Sequence, residues 1–419
     1  MTASPRARPS PLVTELADFA EFGTPTESSS VLVPSGRGGP LLHIPIATNE
    51  FWTSRQRDAH RLHELSYRAC FKPQLPRFFL ERLTRPGDRV YDPFMGRGTT
   101  LIEAAFCNRI PAGCDVNPLS RILTAPRLAP PEPTAVAERL AQIPLNPVPV
   151  DPGEELLVFY HPTTLGQLLA LRSYLLDRER EGLLDPVDEW IRMVAVNRLT
   201  GHSPGFFSVY TLPPNQAVSV ERQRLINANR QQTPPPRQVP ALILKKSQAL
   251  LAGLDAETRS RLHTLARQAT LLTGLCDATP ELADGSVALV VTSPPFLDVV
   301  DYAADNWLRC WFCGLDSQQI QIPIHRRLPD WAAAMTRVFH ELFRLLAPGG
   351  HVAFEVGEVR GGTVLLEDTV LPCGLAAGLT PLQVLINQQS FTKTANCWGV
   401  RNGALGTNTN RIVLFRKDS

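Results

Sequence analysis

The chemistry that stands out in this 419-residue sequence lies in Val290-Val291-Thr292-Ser293-Pro294-Pro295-Phe296. Three β-branched residues read as the end of a buried strand, and two prolines then forbid both helix and ladder pairing, so a rigid turn follows. Neither Pro294 nor Pro295 has an N–H, which leaves the Ser293 side chain and the carbonyls of Ser293 and Pro294 as acceptors with few local donors. They can accept a hydrogen bond from an incoming amino group, and Phe296 offers a flat apolar face on which a heterocycle can stack. Acceptors aimed at an exocyclic amine beside an aromatic platform are what methylation of a base amino nitrogen requires. The plainer reading of this segment alone is a proline-stiffened turn from strand to loop.

A second stretch adds a partner for that chemistry. Residues 89–105 run strand, Gly-rich turn, helix, with Gly96 and Gly98 free to adopt positive φ and to let a ligand approach the backbone. After Arg109-Ile110-Pro111-Ala112-Gly113-Cys114 comes Asp115, at the expected end of a second strand, where a carboxylate can accept both hydroxyls of a ribose. Asp92-Pro93-Phe94-Met95-Gly96-Arg97-Gly98-Thr99 together with Thr292-Ser293-Pro294-Pro295-Phe296 resembles the S-adenosylmethionine-dependent DNA amino-methyltransferases.

That resemblance implies an α/β fold: a Rossmann-like class I methyltransferase sheet with a terminal antiparallel hairpin, plus a mainly helical inserted target-recognition region. It assigns S-adenosylmethionine binding to Phe71, Lys72, Asp92, Pro93, Phe94, Gly96, Gly98, Thr99, Thr100, Asp115, Val116, Asp277 and Ala278, and catalysis to Ser293, Pro294, Pro295 and Phe296. Phe71 and Lys72 fall in a lid segment before the first core strand, which in the family closes over the methionine end of the cofactor. Asp277 ends a strand at 270–279, where the family places an acceptor for the adenine amino group. Serine at the head of the Pro-Pro motif is associated with N4-cytosine enzymes, and Asp or Asn with N6-adenine enzymes. Phe296 departs from the tyrosine commoner in the cytosine class, which keeps the stacking face but removes a hydroxyl.

The elements that position these residues follow from composition and pattern. A hydrophobic content of 43% supports a large core, and the chain divides into a tail and hairpin (1–48), a lid with the first half of the core (49–124), an insertion (125–268) and the second half of the core (269–419). Residues 1–30 lack periodicity and read as a loose tail, with a small hairpin over 30–46. Prolines 126, 130, 131, 133, 144, 147, 149 and 152 read as a connector leaving the core. Helices are expected over 77–83, 163–176, 188–199 and 330–346, the last capped by Ala347-Pro348-Gly349-Gly350 before a strand at 351–356. Strands at 382–386 and 411–415 form the expected terminal hairpin. Residues 198–216 make a loop too apolar to be a solvated spacer, suited either to a splayed base or to packing the insertion onto the core.

Net charge is only +2, so any nucleic-acid surface must be local. Between Glu221 and Thr270, nine cations face Glu221, Asp255 and Glu257, a net of +6, which leaves the remainder net acidic. Arg222, Arg224, Arg230, Arg237, Lys245 and Lys246 are the DNA-contact candidates, and each taken singly also fits a solvated helix face. Cys310-Trp311-Phe312-Cys313 lacks the two further ligands a zinc site needs and reads as buried cysteines on one helix face, so no metal is expected.

No apolar run reaches membrane-spanning length and the N-terminus has no apolar leader, so a cytoplasmic protein is expected. Double-stranded DNA is the implied substrate, and a cognate restriction endonuclease is a partner the resemblance allows; the residues say nothing of oligomeric state. An N6-adenine enzyme and an RNA amino-methyltransferase are the rival activities. A catalytically inactive binding module would have lost Gly96, Gly98, Asp115 or the Pro-Pro turn, all of which are present.

Overall fold

The computed structural model describes residues 11–35, 39–53, 59–67, 70–212, 217–295, 302–323, 325–359, 363–388 and 409–418. The chain opens with α1 (Pro11–Ala17), the hairpin β1 (Glu27–Pro34) and β2 (Leu41–Asn49), and α2 (Gln74–Leu83). A β-α-β unit follows, comprising β3 (Arg89–Asp92), α3 (Thr99–Phe106) and β4 (Ile110–Asp115). The α-helices before the sheet resumes are α4 (Pro118–Leu128), α5 (Pro133–Gln142), α6 (Pro162–Arg180), α7 (Pro186–Val196), α8 (Val220–Arg230), α9 (Val239–Leu251) and α10 (Ala256–Ala266). Then come β5 (Thr270–Thr273), β6 (Val287–Thr292), α11 (Tyr302–Phe312), α12 (Leu328–Leu345) and β7 (Leu346–Val356). The short pair β8 (Glu358–Val359) and β9 (Val364–Leu365), then α13 (Glu367–Ala376), β10 (Thr380–Gln388) and β11 (Thr409–Arg416), complete the chain.

Nine strands form one sheet in the order β1-β2-β10-β11-β7-β6-β3-β4-β5. The segment from β5 to β7 is parallel, and β11 runs antiparallel between β7 and β10, giving the terminal hairpin the sequence led one to expect. The sheet is α/β and of the methyltransferase order. Chain order reverses between β3 and β6, and ligands of open parallel sheets bind outside the carboxyl ends of strands at such a switch point.

Central strands here are buried on both faces, which is why Val287–Thr292 is a continuous apolar run rather than an alternating one. Tyr91 and Val290 face a core with Trp331, Phe339, Phe354 and Phe415, while Val90, Leu289 and Val291 face one with Phe51, Trp52, Phe78 and Phe79. Each such side chain contributes about 1.5–3 kcal/mol on burial, so the strands carrying the two motifs are clamped from both sides. The helical segment packs around Trp190, whose indole N–H donates to Ser247 at 2.9 Å, in a core it shares with Leu62 of the lid, Ile102 of α3 and Phe312 of α11.

Several expectations change. Residues 1–30 are not uniformly loose: α1 buries Leu12 and Leu16, and Phe19 packs against Phe51 at 5.3 Å between ring centroids. A helix of seven residues makes too few turns to show a period in sequence. The proline-rich stretch is not a plain connector, because Pro126 lies inside α4 and Pro133 opens α5, where an N–H is not needed. Helix α12 ends at Leu345, and Ala347-Pro348-Gly349-Gly350 belongs to β7 rather than to a cap. In the 198–212 loop Phe206 and Phe207 are buried, with the Arg198 guanidinium 4.0 Å above the Phe206 ring, so those aromatics pack.

Candidate active site

The two turns singled out in the sequence leave neighbouring parallel strands on either side of the switch point. The Thr292 hydroxyl donates to the Asp92 carboxylate at 2.6 Å, and the Thr100 hydroxyl donates to the Val291 carbonyl at 3.0 Å. Asp92 is buried, and burial pushes its carboxyl up to about 7 against the opposing hydrogen bonds from Thr292 and the Phe94 N–H. Pro93 is also buried and Phe94 half-buried.

Gly96 and Gly98 both have positive φ, +49° and +74°, for different reasons. A Cβ on Gly98 would overlap the Thr124 side chain of α4, so this glycine lets a helix come close. A Cβ on Gly96 would meet the Tyr67 ring at 3.7 Å, an ordinary van der Waals contact, so no close approach forces glycine there. Asp115 accepts the Gly96 N–H on one oxygen and the Asn117 N–H on the other, each at 2.9 Å. Burial raises its carboxyl, and those two N–H groups counter the shift. Both Asp115 and Val116 are half-buried, and each carboxylate oxygen keeps a lone pair for a ribose hydroxyl. Thr99 and Thr100 are buried at the start of α3.

The lid folds onto this turn. Arg97 donates to the Leu65 carbonyl at 2.6 Å, and buried Arg127 donates to the carbonyls of Leu62 and Arg97. Lys72 is half-buried, its ammonium disfavoured by burial and then by the Arg97 charge, and Phe71 packs beside the Phe78 cluster. His63 meets the buried Glu103 of α3 at 2.8 Å, and Arg77 pairs with the same carboxylate. Burial alone would raise Glu103, but His63 and Arg77 hold it below the usual value.

At the far side, the loop after β5 joins β4 through the Gly274 N–H and the Asp115 carbonyl at 2.9 Å. Asp277 pairs with Arg337 at 3.2 Å, and Ala278 is exposed. Thr279 donates twice to Glu341 at 2.7 Å, and Glu341, bound also by Arg344, is held down at about 2. A glycine turn with positive φ, a half-buried carboxylate with spare acceptors and a second acid beyond it fit a nucleoside cofactor.

At the Pro-Pro turn, Ser293 is half-buried and Pro294 buried, and the Pro295 carbonyl accepts from the Trp331 indole at 2.9 Å. Phe296 lies outside the described residues. Sequence reasoning missed Glu355, which parallel pairing of β6 with β7 brings beside Ser293 through the register Thr292 with Phe354. Burial pushes Glu355 up to about 7, while hydrogen bonds from Asn410 and from the Ser293 hydroxyl act against that rise. Its one visible signal is a lone carboxylate at the end of the apolar run His351-Val352-Ala353-Phe354-Glu355-Val356.

The DNA-contact candidates separate. Arg222, Arg224 and Arg230 lie exposed on α8, and Lys245 is exposed on α9. Lys246 pairs with Glu64 of the lid at 3.2 Å, and Arg237 is half-buried with its backbone bound to the Thr164 hydroxyl. Cys310 and Cys313 are buried, and no cluster of three or more metal-ligand side chains occurs among the described residues. No helix among them is long and apolar enough to cross a membrane.

Comparison with known proteins agrees with this arrangement over the first motif. A DNA methylase family model matches residues 45–120, from the second strand of the hairpin through the lid, glycine turn and Asp115. Type II methyltransferase M.MvaI of Kocuria varians is 30% identical over 112 residues, 26% of this chain and 23% of that protein. Type II methyltransferase M.MjaII of Methanocaldococcus jannaschii is 35% identical over 74 residues, 18% of this chain and 14% of that protein. The chain therefore spans under a quarter of the length of these relatives. Among solved structures, TrmN of Thermus thermophilus aligns over 85% of this chain and 51% of its own, at 13% identity and a TM-score of 0.32, so the fold rests on strand order rather than on that superposition. Over residues 45–120 the chain is similar to the DNA methylase family, and its two motifs meet at one switch point of a methyltransferase-type sheet.

Proposed function

We propose that this protein transfers a methyl group from S-adenosylmethionine to the exocyclic N4 of cytosine in double-stranded DNA. The observation that carries the reading is Ser293, placed by the β6–β7 register next to the buried Glu355 and beside the strand whose glycine turn would hold the cofactor. Asp115 would hold the ribose hydroxyls, the Gly96 backbone would lie along the cofactor, Asp277 and Ala278 would face its adenine, and Phe71 and Lys72 would close over the methionine end. When bound, S-adenosylmethionine supplies an electrophilic methyl on a sulfonium.

The target cytosine, swung out of the duplex, would present its amino group to the turn. With the Pro295 carbonyl occupied by Trp331, the acceptors for the two N–H bonds are the Ser293 hydroxyl oxygen and the Pro294 carbonyl. Glu355 accepts the Ser293 hydroxyl proton, which turns the serine lone pairs toward the amine. As N4 gains the methyl carbon it must release one proton, and Ser293 passes it toward the Glu355 carboxylate. The ring of Phe296 would stack on the base, and no covalent enzyme intermediate is required. Serine rather than Asp or Asn at 293 favours cytosine over adenine. Arginines of the basic block would sit on phosphates.

The test is incubation with labelled S-adenosylmethionine and mixed-sequence duplex DNA, followed by digestion to nucleosides and mass spectrometry. N4-methylcytosine is expected. N6-methyladenine would overturn the base assignment, and label entering RNA but not DNA would overturn the substrate.

A further inference from the structure

The base-modifying reading leaves open which surface selects the target sequence, and the following rests on that reading. Helix α8 is anchored sparsely: of its eleven residues only Val220 and Gln223 are buried, one of them polar. One side is fastened by polar bonds, Gln223 donating to the Tyr210 carbonyl at 3.0 Å and Asn227 to the Val158 carbonyl at 2.7 Å. Gln232, just past the helix, donates to the same Tyr210 carbonyl at 2.9 Å, and the Ser219 hydroxyl caps the first turn through the Arg222 N–H.

The opposite face carries Arg222, Leu225 and Asn229 at helical spacing, with Glu221 and Ala228 beside them, all exposed. Leu225 is 56% exposed in the middle of an otherwise polar helix. Two further arginines flank this face. Arg230 is held 3.8 Å over the Tyr210 ring, and Arg224 stands 3.9 Å from Glu155. The lead-in to α8 is tied to the helix that follows the catalytic turn: the Ala217 N–H donates to the Asp305 carbonyl at 2.9 Å, and the Trp307 indole donates to the Val218 carbonyl at 3.2 Å.

We infer that α8 enters the major groove of the substrate duplex, with Arg222, Leu225 and Asn229 reading base edges and Arg224 and Arg230 seated on phosphates. The charge of the 221–270 segment, +6 in a chain of net +2, complements a polyanion. The exposed face offers one group for each kind of edge: a guanidinium for guanine O6 and N7, an amide for adenine N6 and N7, and an apolar tip for the thymine methyl. Bonding of 217–218 to Asp305 and Trp307 ties the reader to α11, the helix that follows the Pro-Pro turn in sequence.

Three variants of the full-length protein test this, Arg222→Ala, Leu225→Ala and Asn229→Ala, with Arg224→Ala and Arg230→Ala as a second set. Sequencing the bound fraction of a randomised duplex pool, alongside anisotropy titrations at several salt concentrations, gives preference and salt slope without requiring methyl transfer. Each variant of the first set should lose preference at its own position by roughly tenfold or more while the others hold. Each variant of the second set should weaken binding to all sequences and lower the salt slope by about 1. Unchanged preference in all three reader variants overturns the proposal. So does a change in oligomeric state on Leu225→Ala with preference intact, which would make α8 a contact between copies of the chain. A wild type that selects a sequence through α8 yet methylates nothing would refute the methyltransferase function and leave the reader assignment standing.

Discussion

Around the carboxyl ends of β3, β6 and β7 the acids are desolvated and tied: Asp92 to Thr292 and Phe94, Glu355 to Asn410 and Ser293. Along α8 the side chains stand in water, and only one side of the helix is held. The first arrangement stores preorganisation, since burial raises both carboxyls to about 7 and strengthens any hydrogen bond they accept. The second leaves Arg222, Leu225 and Asn229 exposed, with Arg224 and Arg230 only loosely held beside Glu155 and Tyr210. On the proposed reading, chemistry is placed where packing fixes it, and recognition where packing holds one side only.

The sharpest way to break that contrast is at the buried end. Ser293→Ala and Glu355→Gln should each lower methyl transfer by about 10²–10⁴-fold with cofactor affinity little changed, as for loss of a positioned proton acceptor. In the wild type the rate should rise with pH through about 7 as Glu355 ionises, and Glu355→Gln should remove that limb; its survival would assign the limb to Asp92 instead.

Next in size are the glycines, which differ from each other as the two regions do. Gly98→Ala combines a left-handed backbone with overlap on Thr124 and should cost about 2–4 kcal/mol in urea denaturation. Gly96→Ala meets no such overlap and should cost about 1–2 kcal/mol, the conformational part alone. Equal losses would mean that the space beside Gly96 is not a binding surface.

A smaller effect has the opposite sign to the activity profile. A carboxyl whose folded value lies above its unfolded one gives stability that is complete below about 4.5 and lost as pH rises through about 7, so Glu355→Gln should flatten that decline in thermal midpoint. Smallest of all, Trp331→Phe removes one hydrogen bond to the Pro295 carbonyl and should cost about 1 kcal/mol with a modest loss of rate.

Much of the site could be read before the fold because its residues lie close together in sequence. Gly96, Gly98 and Asp115 belong to one β-α-β unit, and Ser293 heads a turn that two prolines dictate. The helix at 330–346 was legible from its amphipathic period, and that at 163–176 from Leu165, Leu168, Leu171 and Leu175 at three- and four-residue spacing. Glu355 and Trp331 were not, since strand pairing and helix packing bring them to Ser293 and Pro295 from far along the chain. Lys246 shows the same limit in reverse: it belongs to a basic run in sequence, yet it turns to Glu64 of the lid rather than standing free. Composition could announce a basic surface but could not say that Arg222, Leu225 and Asn229 share one exposed face of α8.

The central claim is that the glycine turn and the Pro-Pro turn serve one cavity. Titration calorimetry of S-adenosylmethionine into the wild type, Asp115→Ala and Ser293→Ala tests it most directly. One saturable site per chain, lost in Asp115→Ala and kept in a Ser293→Ala protein that no longer methylates DNA, is the predicted result. No heat from the wild type, or uptake indifferent to Asp115, would contradict it.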